Sequence, residues 1–237
     1  MAVGLGMPPD YFTDRLHAAH SSFLRLNYYP VCDEVAAPPE PAPLGISPHK
    51  DAGFLTVLAQ DPNCHSLQVR KRGTDDTWAT VHPLPDAFTV NTGDMAQIWS
   101  NNRYHAPEHR VLTSTSRVRY SAPFFLNPAF DSVVSPLPSL GTPEYLPCVW
   151  GYFRAQRFAG DFADYGTEIQ ISDFAVGPDG EPTSWHVDNQ ARFMQKADFG
   201  APFSVEANRP LLARPADSGS GANGHASHGP ARSAASA

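Results

Sequence analysis

Leu44-Gly-Ile-Ser-Pro-His-Lys-Asp-Ala-Gly-Phe-Leu-Thr-Val-Leu58 sets a histidine, His49, one residue from a carboxylate, Asp51, just ahead of the dense apolar run Phe54 to Ala59. In an extended chain, residues i and i+2 project from the same face, so both side chains can address one metal ion. A His-x-Asp pair also arises by chance. It gains meaning only if the chain supplies a third ligand, a place for a co-substrate, and a barrel to hold them.

Working outward, short apolar runs recur at regular spacing. Upstream, Phe23 to Tyr29 alternates and is closed by Pro30. Downstream, Phe54 to Ala59 turns at Asp61-Pro62-Asn63 and returns as Ser66 to Arg70; Gly73 to Asp76 is a second turn before Trp78 to Val81. Phe88 to Asn91 leads through Thr92-Gly93-Asp94 into Met95 to Trp99, and His109 to Leu112 and Arg117 to Leu126 complete the β region. Strands of this length and spacing predict a sandwich or barrel. The 24 prolines fall mostly between the runs and favour short strands over long helices. Residues 8–20 read as a short helix, 32–45 as a surface loop, the aromatic-rich 145–166 as a helix on the outside of the barrel, and 188–198 as a second short helix. From Ser218 to Ala237 no apolar side chain exceeds alanine, so that tail is expected to be disordered.

The totals exclude several classes. A net charge of −7 argues against a nucleic-acid partner. No apolar run approaches membrane-spanning length, and the N-terminus lacks the features of a signal peptide. Cys32, Cys64 and Cys148 form no CxxC pair and read as reduced thiols, which places the chain in the cytoplasm. A monomer acting on a small molecule is expected.

Two histidines compete for the third ligand. His105 precedes Ala-Pro and reads as loop; His109 opens His-Arg-Val-Leu and reads as the start of a strand, which favours His109. Two histidines and one carboxylate on one face of a metal are the ligand set of non-haem Fe(II) oxygenases, with positions left for substrates. Alternation puts Arg119 and Ser121 on one strand face. If that face looks into the barrel, a buried guanidinium needs an anionic partner. A substrate carboxylate fits, with the Ser121 hydroxyl as a further donor. Fe(II), Asp51, a dianionic 2-oxo acid and Arg119 together sum to neutrality. His17, His20, His65, His82 and His186 read as surface or internally satisfied residues.

His49-x-Asp51, His109, Arg119-x-Ser121 and Asn27-Tyr28-Tyr29-Pro30 resemble the isopenicillin N synthase-like branch of the 2-oxoglutarate- and Fe(II)-dependent dioxygenases. Gly53 to Leu58, Leu67 to Val69, Val90 to Met95, Gln97 to Asn101 and His109 to Val111 are similar to the same family, and 145–173 is similar to its microbial members. The resemblance implies a mainly β, double-stranded β-helix (jelly-roll) core with flanking helices. It assigns His49, Asp51 and His109 to iron, which settles His109 over His105. It assigns Arg119 and Ser121 to the distal carboxylate of 2-oxoglutarate, with Tyr29 and Asn27 supporting that co-substrate. The implied cofactors are Fe(II), 2-oxoglutarate and O2. The implied reaction is hydroxylation or desaturation of an unactivated C–H bond, with succinate and CO2 as co-products. Relatives carry a longer region before the Asn-Tyr-Tyr motif. The expected organisation is therefore a short helical remnant at 1–22, the dioxygenase domain with its C-terminal helix at 23–175, an irregular extension at 176–217 and the tail at 218–237. Two other readings stay open: a metal-binding jelly roll that is catalytically impaired or partner-dependent, and an Fe(II) oxidase that does not use 2-oxoglutarate.

Overall fold

The computed structural model describes all residues except 14–15, 17–18, 33–43, 74–76, 163–167, 183, 201–203 and 215–237. Part of the helix expected at 8–20, most of the loop expected at 32–45 and the whole of the expected disordered tail therefore lie outside the described residues.

The strands are β1 (Phe23–Leu24), β2 (Asn27–Tyr29), β3 (Leu44–His49), β4 (Leu55–Gln60), β5 (Leu67–Arg70), β6 (Trp78–Thr80), β7 (Thr89–Thr92), β8 (His109–Leu112), β9 (Arg119–Leu126), β10 (Val133–Val134) and β11 (Cys148–Val149). One sheet runs β1-β9-β4-β7, with β2 also on β9; a second runs β3-β8-β5-β6. From β2 to β9 the chain passes back and forth between these sheets, and every pairing is antiparallel. This is the winding of a double-stranded β-helix, as expected. The single strand expected over 23–29 is split, with Leu24 opposite Phe124 and Asn27 opposite Ser121. That register puts Pro123 opposite Arg25. The Arg25 amide donates to the Pro123 carbonyl at 3.0 Å, but proline has no N–H to return.

The sheet containing β9 is amphipathic in an unusual sense. Its inward positions are Arg119 and Ser121 on β9 and Thr56 on β4, all buried, whereas Leu24, Tyr28, Val90, Tyr120 and Phe124 are exposed on the other side. The barrel interior has a small apolar lining: Leu58, Leu67 and Val111, with Tyr29, Ile46 and Val81 against them.

The main apolar core lies beside the barrel. It is built around α1 (Asp94–Trp99), α2 (Trp150–Phe162), α3 (His186–Lys196) and α4 (Val205–Leu212). Leu5, Phe12 and Leu16 from the N-terminal segment join Met95, Ile98, Trp99, Trp150, Phe153, Phe193 and Leu212 in one cluster. Three expectations change here. Met95 to Trp99 is helical, not extended, because every residue of α1 is buried and a fully buried helix shows no periodic face. The helix expected over 145–166 starts later, at Trp150, because Cys148–Val149 pairs with Val133–Val134. The extension expected to be irregular apart from the short helix at 188–198 carries that helix as α3 and a further one, α4; their Phe193 and Leu212 are almost fully buried.

Candidate metal centre

β3 and β8 pair with two register shifts, and the second brings His49 directly opposite His109. Bulges re-aim side chains in this way. The imidazole centroids are 4.3 Å apart. Asp51, two residues past His49, points its Oδ1 at both rings, 3.9 Å from His49 Nε2 and 3.7 Å from His109 Nε2. One donor atom from each residue lies within 4.8 Å of the others, and among the described residues this is the one such group of three. Asp51 is buried and the histidines are only partly so, which leaves an open side.

Surrounding bonds fix which atoms are free. His49 Nδ1 lies 2.8 Å from the Ser47 carbonyl, and His109 Nδ1 lies 3.1 Å from the Pro107 carbonyl. A carbonyl only accepts, so each Nδ1 carries the proton and each Nε2 presents its lone pair. Asp51 Oδ2 accepts from Thr56 Oγ1 at 2.6 Å and from Asn91 Nδ2 at 2.7 Å, leaving Oδ1 for a cation. Two neutral imidazole nitrogens and a carboxylate oxygen, with an exposed side, suit Fe(II). Burial, followed by the neighbouring His109, lowers the pKa of His49 below its ordinary 6.5. The folded chain therefore releases that proton at a lower pH than free imidazole does. Proton competition at His49 should set in only below that ordinary value, and an apparent Fe(II) dissociation constant measured on either side of it checks this.

The loop after Asp51 is clamped by the start of α1. The Asp94 amide donates to the Asp51 carbonyl at 2.8 Å, Met95 to Gly53 at 3.0 Å, and Gly93 to Phe54 at 3.0 Å. A Cβ on Gly93 would collide with the Gly53 and Asp51 carbonyl oxygens. Gly93→Ala should therefore push the Asp51 loop off α1, costing about 1–3 kcal/mol of stability and weakening metal binding; a melting curve with and without Fe(II) reads both. Asp94 is fully buried, and desolvation pushes its carboxyl up to about 6 against the pull of Arg157, whose Nη2 sits 3.0 Å away.

The second half of the site lies on β9 and β2. Arg119 is 2% exposed. Its guanidinium carbon lies 4.8 Å from the centre of the Tyr29 ring, and Nη1 reaches Ser121 Oγ at 3.5 Å. Ser121 Oγ also accepts from Asn27 Nδ2 at 3.3 Å. Register explains the grouping: Asn27 stands opposite Ser121 and Tyr29 opposite Arg119. Among the described residues no carboxylate pairs with Arg119, and its Nε has no partner. A guanidinium buried this far without an anion has the geometry and charge to receive one.

β4 joins the two halves, since Thr56, Leu58 and Gln60 share its inner face. Thr56 holds Asp51, and Gln60 stands opposite Ser121. Tyr29 completes the wall, lying close enough to β3 that a Cβ on Gly45 would sit 3.1 Å from its ring. All seven residues singled out in the sequence are thus found in two linked groups, while His105 belongs to neither. Sequence reasoning passed over Thr56 and Asn91. Both fall in phrases noted above, on inward positions, and their roles needed the tertiary contact with Asp51 to show. Thr56→Val should weaken Fe(II) binding by about 10- to 100-fold, as competition with a metal chelator would measure.

Residues 20–128 match the family model described as the 2OG-Fe(II) oxygenase superfamily. The chain is 42% identical over 159 residues to jasmonate-induced oxygenase 2 of Arabidopsis thaliana, covering 65% of this chain and 41% of that protein. It is 39% identical over 153 residues to gibberellin 2-beta-dioxygenase 6 of Oryza sativa subsp. japonica, covering 64% and 39%. Among solved structures, JOX2 in complex with 2OG, Fe and JA superposes with a TM-score of 0.57 at 41% identity, covering 65% of this chain and 44% of that one. A dioxygenase for auxin oxidation in rice gives 0.60 at 28% identity, covering 73% and 56%. The chain therefore spans about two fifths of the length of the curated relatives it matches.

Proposed function

We propose that the chain, whose residues 20–128 match the family model of the 2OG-Fe(II) oxygenase superfamily, is a 2-oxoglutarate-dependent dioxygenase of the isopenicillin N synthase-like branch that oxidises a C–H bond of a small organic molecule. The observation that carries this reading is the pairing of an Oδ1/Nε2/Nε2 donor set with a buried, anion-free Arg119 on the same barrel wall.

His49, Asp51 and His109 hold Fe(II). When bound, Fe(II) with 2-oxoglutarate and O2 supplies the oxidising power for hydroxylation or desaturation, with succinate and CO2 as co-products. The chain's residues bind, orient and exclude water. Thr56 and Asn91 anchor one oxygen of Asp51 so that the other is presented to the metal. The Ser47 and Pro107 carbonyls keep both histidines in the ligating tautomer. Arg119 and Ser121 take the distal carboxylate of 2-oxoglutarate; Tyr29 lies against the guanidinium and Asn27 orients the serine. Leu58, Leu67 and Val111 keep the space between dry, which strengthens the charge-assisted contacts at both ends.

The catalytic unit is 23–175, and the flanking segments complete the core behind α1. The seven residues of the two linked groups come from one chain, which supports a monomer, and the three free cysteines support a cytoplasmic setting. The test is an anaerobic titration with Fe(II) and 2-oxoglutarate, then a screen of small organic acids and phenolics scored by succinate. Saturable binding of 2-oxoglutarate that requires Fe(II) is expected. Succinate formation indifferent to Fe(II) would sink the proposal.

A further inference from the structure

Outside the site just described, a second pair of imidazoles converges. His65 lies just before β5 and His82 just after β6. Both are exposed, and their Nδ1 atoms are 3.1 Å apart with ring centroids 4.8 Å apart. We propose that His65 and His82 form a surface chelate for a late first-row divalent cation such as Cu2+, Ni2+ or Zn2+, separate from the triad of His49, Asp51 and His109.

The distance is the first argument. With metal–nitrogen bonds of about 2.0–2.1 Å and bond angles between square and tetrahedral, two ligand nitrogens on one ion stand about 2.9–3.4 Å apart. The observed spacing falls inside that range. Without a metal, two neutral imidazoles so placed share a single hydrogen bond, one Nδ1 donating to the other; a cation replaces that proton and uses both lone pairs.

Preorganisation is the second. The backbone is pinned within one residue of each histidine: the Leu112 amide donates to the Ser66 carbonyl at 2.9 Å, and the Val81 amide donates to the Leu67 carbonyl at 2.9 Å. Val81 is also packed on the barrel's apolar lining. Little ordering of the chain remains to be done on binding. Ligand chemistry selects the ion class, because imidazole suits copper, nickel and zinc, while calcium and magnesium want oxygen. No carboxylate joins the pair in a group of three among the described residues, so water fills the remaining positions. A bound ion ties the ends of β5 and β6 together at the edge of the smaller sheet, β6 being its outer strand.

The experiment is a Cu2+ titration of the full chain carrying His225→Ala and His228→Ala, which removes the two tail histidines as competitors. Retained copper is counted after desalting, and its ligands are read by electron paramagnetic resonance. This parent should retain two equivalents, one at the triad and one at the pair. His65→Asn and His82→Asn, each made alone on solvent-exposed positions, should each retain one. With Asp51→Ala and His109→Ala added to the parent, the remaining copper should show coupling to two nitrogens. The proposal is overturned if both single variants retain as much copper as the parent, or if copper in the triad-deficient chain couples to one nitrogen or none.

Discussion

Asp51→Ala should abolish Fe(II)-dependent succinate formation. Even changes to residues that merely orient a metal ligand cost about 10- to 100-fold, and here the sole anionic ligand is removed. The remaining imidazoles are neutral, so nothing offsets the dication's charge and its hydration is not repaid. A structural cost accompanies the functional one. Thr56 Oγ1 and Asn91 Nδ2 both donate to Asp51 Oδ2, and leaving buried donors unpaired costs about 1–3 kcal/mol each. Asp51→Asn separates the two effects. With its amide oxygen in the place of Oδ2 it keeps an acceptor for both donors and most of the fold, yet it removes the charge. Chelator competition and succinate yield, measured on both variants with circular dichroism to confirm folding, check the expectation. Turnover close to that of the parent in either variant would contradict the assignment.

Arg119→Leu should act at the other end of the site and leave the metal in place. The guanidinium is buried over Tyr29 with no acidic partner among the described residues, so its ion-pairing capacity is free for a ligand. Removing one partner of a buried charge pair costs about 2–5 kcal/mol. At roughly 1.4 kcal/mol per factor of ten, the 2-oxoglutarate requirement should rise about 30-fold or more. Fe(II) affinity should stay within a few-fold of the parent, because none of the atoms around Asp51 is touched. Initial rates against 2-oxoglutarate concentration, alongside Fe(II) binding, distinguish this from general damage. Arg119→Lys should restore little, since an ammonium cannot reproduce the planar fork.

Much of this was legible in the sequence because it depends on local spacing. The i, i+2 relation of His49 and Asp51, and of Arg119 and Ser121, survives folding almost unchanged. What spacing could not supply was direction. Alternation along β9 separates Arg119 and Ser121 from Tyr120 and Phe124, but a hydrophobic-inside rule would have turned the strand over, since the aromatic face is exposed and the charged face buried. The register of Asn27 on Ser121 and Tyr29 on Arg119 is likewise a pairing across ninety residues or more that no local pattern encodes. α1 was hidden for a different reason. Met95, Ala96, Ile98 and Trp99 are all buried, and a segment with no exposed face has no period to detect. The helix at 188–198 was legible, whereas α4 was not, because its buried face is narrow, with Leu212 its anchor.

The inverted sheet has an evolutionary consequence. A barrel whose inner wall carries a lone guanidinium, amides and hydroxyls is less stable than the same barrel lined with leucine and valine, because each polar group gives up hydration that only a ligand restores. Stability and activity are therefore opposed at the same positions, and stabilising substitutions there should be the inactivating ones. Arg119→Leu should melt higher than the parent when no ligand is present, by roughly 2–4 °C for each kcal/mol relieved, while 2-oxoglutarate narrows or reverses the gap by stabilising only the parent. Selection for heat resistance alone would wear away this wall first and leave the helical core behind α1 untouched.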